Sequence, residues 1–213
     1  ENSLDDIIKE IVKQCVEKGL IKGTGIVLDC THTLANTFKL VPERIMKRLA
    51  EKIIKNVKEE IQSVPTEIDE KNIPNYKEIE DHKEAKAIMK NYLEKLIESV
   101  NSIIDETSPK TKKVIEKANR ILNSPKFIEQ KGIRSLVDED ARVGYKSKTD
   151  SFYGYKVEFA MIPEEKIITS VEAYDGAYVD GTDFKKHLEK TLETGVQVKE
   201  GYGDKAYFRK PII

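Results

Sequence analysis

The stretch Thr24-Gly-Ile-Val-Leu-Asp-Cys-Thr-His-Thr-Leu-Ala-Asn36 decides the fold of this 213-residue chain. Its short apolar run, Ile26 to Leu28, follows Gly23 and Gly25 and is typical of a central strand that is covered on both faces. Asp29 then interrupts the run. Burial of a carboxylate in a strand costs free energy unless a cation pairs with it, so Asp29 is the first candidate for a metal ligand. A surface aspartate at a strand end is the alternative interpretation.

Size and charge give a first bound on the function. The length suits one domain with an insertion, or two small domains, and permits a substantial core. The chain has 37 Lys and Arg against 38 Asp and Glu, so its net charge indicates no partner. The distribution is uneven, because residues 109–156 hold 12 basic and 6 acidic side chains while residues 63–81 hold 6 acidic and 2 basic ones. The basic block suits a nucleic-acid partner, although a solvated face gives the same pattern.

Cysteine use and hydropathy indicate the compartment. Cys15 and Cys30 have no metal-ligand spacing, which favours a reduced, cytoplasmic protein. No run approaches the roughly 20 apolar residues of a membrane span, and no leader for export is visible, so no membrane partner is expected. Because the first residue is Glu1 rather than methionine, we interpret the chain as a piece of a longer protein.

Hydrophobic periodicity divides the chain into three parts. Residues 1–22 are predicted to form a leading helix, and residues 41–132 an all-helical insertion with helices that begin near Pro42, Ile79 and Pro109. The remaining stretches, 23–40 and 133–213, are predicted to form one α/β domain. They contain the first strand, a hairpin of Phe152–Ile162 with Ile167–Ala173, a helix over residues 183–194 and a short strand from Val196.

The order of these elements brings two acids together. The connection from the hairpin through a helix to the last strand is a crossover, so the last strand should lie parallel to the first in one sheet. Neighbouring strands are about 4.8 Å apart, which lets Asp29 and Asp204 reach the same hard cation. Paired metal ions about 3.5–4 Å apart are a known arrangement for cleaving and joining phosphodiesters. A third acid is normally needed, and the residues after Asp204, from Lys205 to Ile213, supply none.

Five short blocks, in this order, resemble the DDE transposases of bacterial insertion sequences, whose catalytic domain is ribonuclease H-like. The blocks are Ile26-Val-Leu-Asp-Cys-Thr-His-Thr33, Asp138-Glu-Asp-Ala-Arg142, Gly154-Tyr-Lys156, Ile167-Ile-Thr169 and Gly203-Asp-Lys-Ala-Tyr207. The resemblance covers residues 23–36 and 133–208. It implies a mixed ribonuclease H-like sheet with the helical insertion after its first strand. It also implies that Asp29 and Asp204 are the first two catalytic acids and that they bind Mg²⁺ or Mn²⁺ for DNA strand cleavage and transfer in transposition.

The resemblance also implies an incomplete site. The final glutamate of the family lies on a later helix, so we expect this polypeptide to lack the C-terminal part of the sheet domain and to be inactive as a fragment. The strand before Asp204 would then lie at a sheet edge with its partner surface missing. Self-association or disorder near the C-terminus is the expected result.

Aromatic and basic side chains alternate around the hairpin and predict contacts to DNA. The basic residues are Arg142, Lys146, Lys148 and Lys156, interleaved with Tyr145, Tyr153 and Tyr155. The ordinary exposed face of a twisted hairpin is the alternative interpretation. His32 should point to the opposite face of its strand from Asp29, where a packed core histidine is favoured over a metal ligand.

Two other functions stay open. In a haloacid-dehalogenase-like phosphatase, Asp29 would be the nucleophile. That interpretation requires a second aspartate two residues later, where this chain has Thr31, and an acid shortly after Asp204, where it has Ala206 and Tyr207. The other possibility is a non-catalytic fragment whose helices bind DNA or form a homodimer. Magnesium-dependent plasmid nicking and hydrolysis of a small phosphate ester would separate the three.

Overall fold

The structure, a computed structural model, describes residues 3–129 and 132–207. The chain is a mixed α/β protein with two compact units. The sheet unit combines residues 1–36 and 143–213, and the helical unit comprises residues 37–142. The C-terminal residues 208–213, for which disorder or self-association is expected, lie outside the described residues, as do residues 1–2 at the start of the predicted leading helix.

The helical unit is built from three long helices whose ends are fixed locally. Helix α2 spans Pro42–Glu60, α3 spans His82–Asn101 and α4 spans Pro109–Leu122. A proline at the first turn opens α2 and α4, where its missing N–H and fixed φ cost nothing. Two 3₁₀ turns, Glu70–Asn72 and Tyr76–Glu78, lie in the connection between α2 and α3.

One continuous apolar core holds the helical unit together. It includes fully buried residues from α2 and α3, such as Ile53 and Leu93. The unit covers a longer stretch of sequence than the predicted insertion over 41–132, because Leu40 and Ile133 also belong to this core. The backbone N–H of Leu40 donates to the carbonyl of Arg134 (2.8 Å), which joins the two ends of the unit.

In its described residues, the sheet unit contains five strands and two α-helices. The strands are β1 (Gly25–Leu34), β2 (Arg142–Tyr145), β3 (Ser151–Ile162), β4 (Ile167–Asp175) and β5 (Glu200–Tyr202), in the order β2-β3-β1-β5 with β4 also paired to β3. Helix α1 spans Ser3–Glu17 and α5 spans Phe184–Glu193. Strand β3 is antiparallel to β1 and β4, whereas β5 is parallel to β1. The predicted hairpin and the predicted parallel last strand are therefore confirmed.

Both helices pack on the same face of the sheet. Ala160 and Ile162 point to this face from β3, where Ile162 meets Val12 of α1 and Ala160 lies in a cluster with Phe184 of α5. On β1 the same face carries Ile26 and Leu28, which are 0% and 2% exposed. The expectation that β1 is covered on both faces is wrong for its second half, since Asp29, Thr31 and Thr33 are exposed.

Within residues 3–129 and 132–207, no helix is long and apolar enough to cross a membrane.

Candidate active site

Asp29 lies on β1, and Asp204 follows the end of β5, the strand that pairs in parallel with β1. The register of β1 with β5 pairs Gly25 with Glu200, and it ends with Val27 opposite Tyr202. Asp29 lies on β1 two residues after that last pair, whereas Asp204 follows the pair by two residues in the turn beyond the end of β5. Because parallel strands end at the same edge of a sheet, we expect both aspartates to lie near the ends of β1 and β5 at that edge.

Asp29 differs from the prediction in one respect, which is its burial. The residue is exposed, and its Oδ1 accepts a hydrogen bond from the backbone N–H of Cys30 (2.8 Å). The prediction that Asp29 is buried is therefore wrong, and burial gives no reason for this carboxylate to have a cation partner. Exposure instead leaves the carboxylate open to solvent, where a hydrated ion can approach it.

Asp204 is exposed as well and lies in a short turn after β5. Its carbonyl accepts the N–H of Tyr207 (3.1 Å), which closes a 3₁₀ turn over Lys205–Tyr207. Gly203 is tightly packed there, because a Cβ atom at this position would lie 2.9 Å from Cβ and Cγ of Tyr207. The glycine before Asp204 is thus required by the close approach of the Tyr207 ring.

The chemistry of this edge suits a hard divalent cation. Both candidate ligands are carboxylates, and Mg²⁺ commonly binds through one or two carboxylates while it keeps several waters. The softer ligands of β1 point away, because Cys30 and His32 alternate with Asp29 along the strand. Among the residues that the structure describes, there is no group of three or more His, Cys, Asp or Glu side chains that could hold a metal ion. Any ion here would therefore depend on Asp29, Asp204 and water.

His32 packs against an aromatic ring on the other face of β1. The ring centroids of His32 and Phe152 are 4.8 Å apart, with an angle of 39° between the ring planes. His32 is half-buried. The contact agrees with the interpretation of His32 as a packed histidine.

The four predicted DNA-binding residues have different surroundings. Lys146 and Lys148 are exposed in the loop between β2 and β3. The guanidinium of Arg142 donates to the carbonyl oxygens of Ala141 (2.9 Å) and Glu139. Lys156 forms an ion pair with Asp180 (2.6 Å) and only 13% of its side chain is exposed, so a phosphate could bind Lys156 only by replacing that pair.

Sequence reasoning missed Glu158, which is the most completely buried carboxylate of the sheet unit. It is 0% exposed and lies on the helix-covered face of β3. Four groups surround its two oxygens. Oε1 accepts the N–H of Gly181 (2.6 Å) and the hydroxyl of Tyr207 (2.9 Å), while Oε2 accepts the hydroxyl of Tyr178 (2.8 Å) and lies 3.3 Å from Nε2 of His187.

These neighbours set the protonation of Glu158. Burial alone would raise its pKa, but contacts with His187, Gly181, Tyr178 and Tyr207 outweigh burial and hold the pKa below its usual value. The carboxylate is therefore ionised at neutral pH. The available sequence signal was a glutamate at an inward position of a strand whose next two inward residues, Ala160 and Ile162, are apolar.

The network extends from His187 to a serine. Nδ1 of His187 lies 2.9 Å from Oγ of Ser170, so the order Ser170, His187, Glu158 resembles a nucleophile with its base and orienting acid. The three residues are only 2%, 0% and 0% exposed, respectively, so these contacts lie almost entirely in the interior. This chain of contacts links the sheet to α5.

Cys30 lies beside the same polar network. Burial, together with the nearby Asp180, raises the pKa of its thiol to about 12, despite the opposing effect of Lys156. The thiol is thus protonated at neutral pH and is a poor nucleophile and a poor metal ligand there.

Comparison with known proteins gives no further assignment. No protein-family model matches the chain, no curated protein matches it, and no solved structure matches it. The function must therefore be inferred from the side chains and their geometry.

Proposed function

We propose that this chain is part of the catalytic domain of a DDE transposase, in which Asp29 and Asp204 hold Mg²⁺ or Mn²⁺ for DNA strand cleavage and transfer. The observation that supports the proposal is the parallel pairing of β1 with β5, whose last pair, Val27 with Tyr202, precedes each aspartate by two residues. A central strand with one antiparallel and one parallel neighbour also fits a ribonuclease H-like sheet.

The two aspartates have a defined task in this proposal. Their carboxylates bind and orient the ion, and their exposure leaves room for a phosphate backbone. A bound divalent ion of this kind activates a water or 3′-hydroxyl, or stabilises the leaving oxygen, in phosphodiester chemistry. The exposed Lys146 and Lys148 would add charge-assisted contacts to phosphates.

Metal binding tests the proposal directly. We expect Asp29→Asn and Asp204→Asn each to weaken Mn²⁺ binding by at least about tenfold, since even supporting residues of metal sites cost 10–100-fold when they are removed. Free Mn²⁺ can be followed by its electron paramagnetic resonance signal during a titration. Glu189→Gln is the matched control, because Glu189 is an exposed acid on α5 whose ion pair with Lys185 is also exposed.

The outcome separates the proposal from its alternatives. Equal Mn²⁺ affinity in all four proteins would overturn the shared site. Hydrolysis of p-nitrophenyl phosphate that depends on Asp29 but not on Asp204 would favour the phosphatase. DNA binding that is unchanged in both aspartate variants, without any metal dependence, would favour a non-catalytic DNA-binding fragment.

A further inference from the structure

The environment of Glu158 connects segments that are far apart in the sequence. Its oxygens contact Tyr178 and Gly181 in the connection after β4, His187 in α5, and Tyr207 in the turn after β5. A fully buried carboxylate persists only where hydrogen-bond donors replace its lost hydration. The buried carboxylate of Glu158 therefore fixes each of these segments to β3 through a hydrogen bond or close polar contact.

The turn that carries Asp204 depends on this attachment. Tyr207 is 6% exposed, and its ring lies in the small apolar cluster with Ile26 and Leu28. At one end of the residue, its backbone N–H binds the carbonyl of Asp204, and at the other end its hydroxyl donates to Glu158. Strand β5 pairs with β1 through its backbone, but its three residues are all exposed and bury little side-chain surface.

Glu158 cannot itself be a ligand of the proposed ion. It pairs with Cys30 in the β1–β3 register, whereas Asp29 pairs with the next residue, Phe159. Successive residues of a strand point to opposite faces, so Glu158 and Asp29 lie on opposite sides of the sheet. An effect of Glu158 on Asp204 is therefore indirect, and the contacts of Tyr207 with both residues provide a route for it.

We propose that Glu158 is a positioning residue that, through the hydroxyl of Tyr207, holds the Asp204 turn beside Asp29. This inference rests on the proposed function, because it takes Asp29 and Asp204 to share an ion. The removal of the Tyr207 hydroxyl should leave the ring in its apolar cluster but release the turn from β3. Asp204 would then spend less time in the position that binds the ion.

Tyr207→Phe is the variant that tests this role, with Tyr178→Phe as its matched control. Both variants delete one hydroxyl that donates to Glu158, so both should destabilise the sheet unit. Of these two tyrosines, Tyr207 is the one whose backbone N–H binds the carbonyl of Asp204. We expect Tyr207→Phe to weaken Mn²⁺ binding by about tenfold, in the range of other supporting residues of metal sites. Tyr178→Phe should leave the affinity unchanged.

Hydrogen exchange provides a second measurement that does not depend on the metal. Tyr207→Phe should speed exchange in a peptide that covers residues 200–207, and Tyr178→Phe should instead speed exchange in one that covers residues 176–183. If Tyr207 had only a general structural role, both variants would lose stability. Faster exchange would then not be confined to residues 200–207 in one variant and residues 176–183 in the other.

Failure of this inference can be told apart from failure of the proposed function. If Asp29→Asn and Asp204→Asn weaken Mn²⁺ binding but Tyr207→Phe does not, the positioning role is overturned and the metal site stands. Equal losses in Tyr207→Phe and Tyr178→Phe would overturn it too, since the effect would then be general. If neither aspartate variant changes the affinity, the site and the positioning role are both overturned.

Discussion

The two units of this protein are stabilised in different ways. Within the described residues, the helical unit has 20 buried apolar residues in one cluster, whereas the sheet unit has two small clusters of four and three. Much of the sheet interior is polar instead, with Glu158, His187, Ser170, Thr169 and Thr191 all at most 2% exposed. The helical unit thus depends on packing, and the sheet unit on hydrogen bonds that are directional and position particular segments.

The largest effect is expected from Glu158→Ala in the sheet unit. The substitution leaves the hydroxyls of Tyr178 and Tyr207 and the N–H of Gly181 without their acceptor. We expect the free energy of unfolding to fall by about 3–5 kcal/mol, because each orphaned buried donor costs about 1–3 kcal/mol and the losses partly overlap. This loss can be measured by hydrogen exchange at increasing denaturant concentration, followed in peptides from each unit. Glu189→Ala, on the exposed side of α5, should stay within about 0.5 kcal/mol.

A comparable loss in the helical unit should come from a cavity. Leu93 is 0% exposed in the α3 part of the core, and Leu93→Ala should cost about 2–5 kcal/mol. Exchange should accelerate in peptides of residues 37–142 and not in those of the sheet strands. Ile88→Ala is the control on the same helix, because Ile88 is 36% exposed. Equal acceleration in both units would contradict the distinction drawn above.

The polar interior of the sheet unit also predicts a pH dependence of stability that arises from Glu158. Since the contacts of Glu158 hold its pKa below the usual value of about 4.3, the unfolded chain takes up this proton first as the pH falls. The stability that ionised Glu158 supplies is therefore complete above about pH 4.3 and is lost as the pH drops through its folded pKa. We expect the difference in unfolding free energy between the wild type and Glu158→Gln to shrink between pH 6 and pH 3. A constant difference would contradict the assignment.

The smallest effect should come from a carboxylate of the helical unit. Glu60 accepts hydrogen bonds from the N–H groups of Lys110 (2.9 Å) and Thr111 (3.0 Å) and from the Thr111 hydroxyl (2.7 Å), so it caps α4 in place of Ser108. Glu60→Ala should lower the thermal midpoint by less than Leu93→Ala does, with faster exchange at the start of α4. Glu60→Gln, which keeps an acceptor oxygen, should recover part of the loss.

The elements were largely predictable because their signals are local. Pro42 and Pro109 open helices where the sequence predicts them, and the crossover rule gives the parallel pairing of β5 with β1. The predicted start of α3 at Ile79 is three residues early, since Asp81 caps the helix through its bond to the N–H of Lys83. A 3₁₀ turn precedes this cap. The periodicity of apolar residues alone cannot distinguish such a turn from the first turn of an α-helix.

The site was less predictable because its contacts join residues that are far apart in the sequence. Register arguments predict that Asp29 and Asp204 come together, but they do not show that β1 is open on one face. Alternation of Asp29, Thr31 and Thr33 was the available signal for that exposure. The contact between Glu158 and Tyr207 has no local pattern, since it depends on where the chain returns after α5. The contact between Glu158 and Tyr207 can therefore be identified only from the folded structure.

The bond between Leu40 and Arg134 has a consequence for how the protein folds. It closes the helical unit at its two ends, and β1 must then find β3 across that whole insertion, as in the pairing of Leu34 with Gly154. Closing a long flexible loop is entropically costly, whereas helices form from contacts between near neighbours. We therefore expect refolding in two phases. The helices form early, and the strands pair later, once the folded insertion has shortened the flexible loop between β1 and β3.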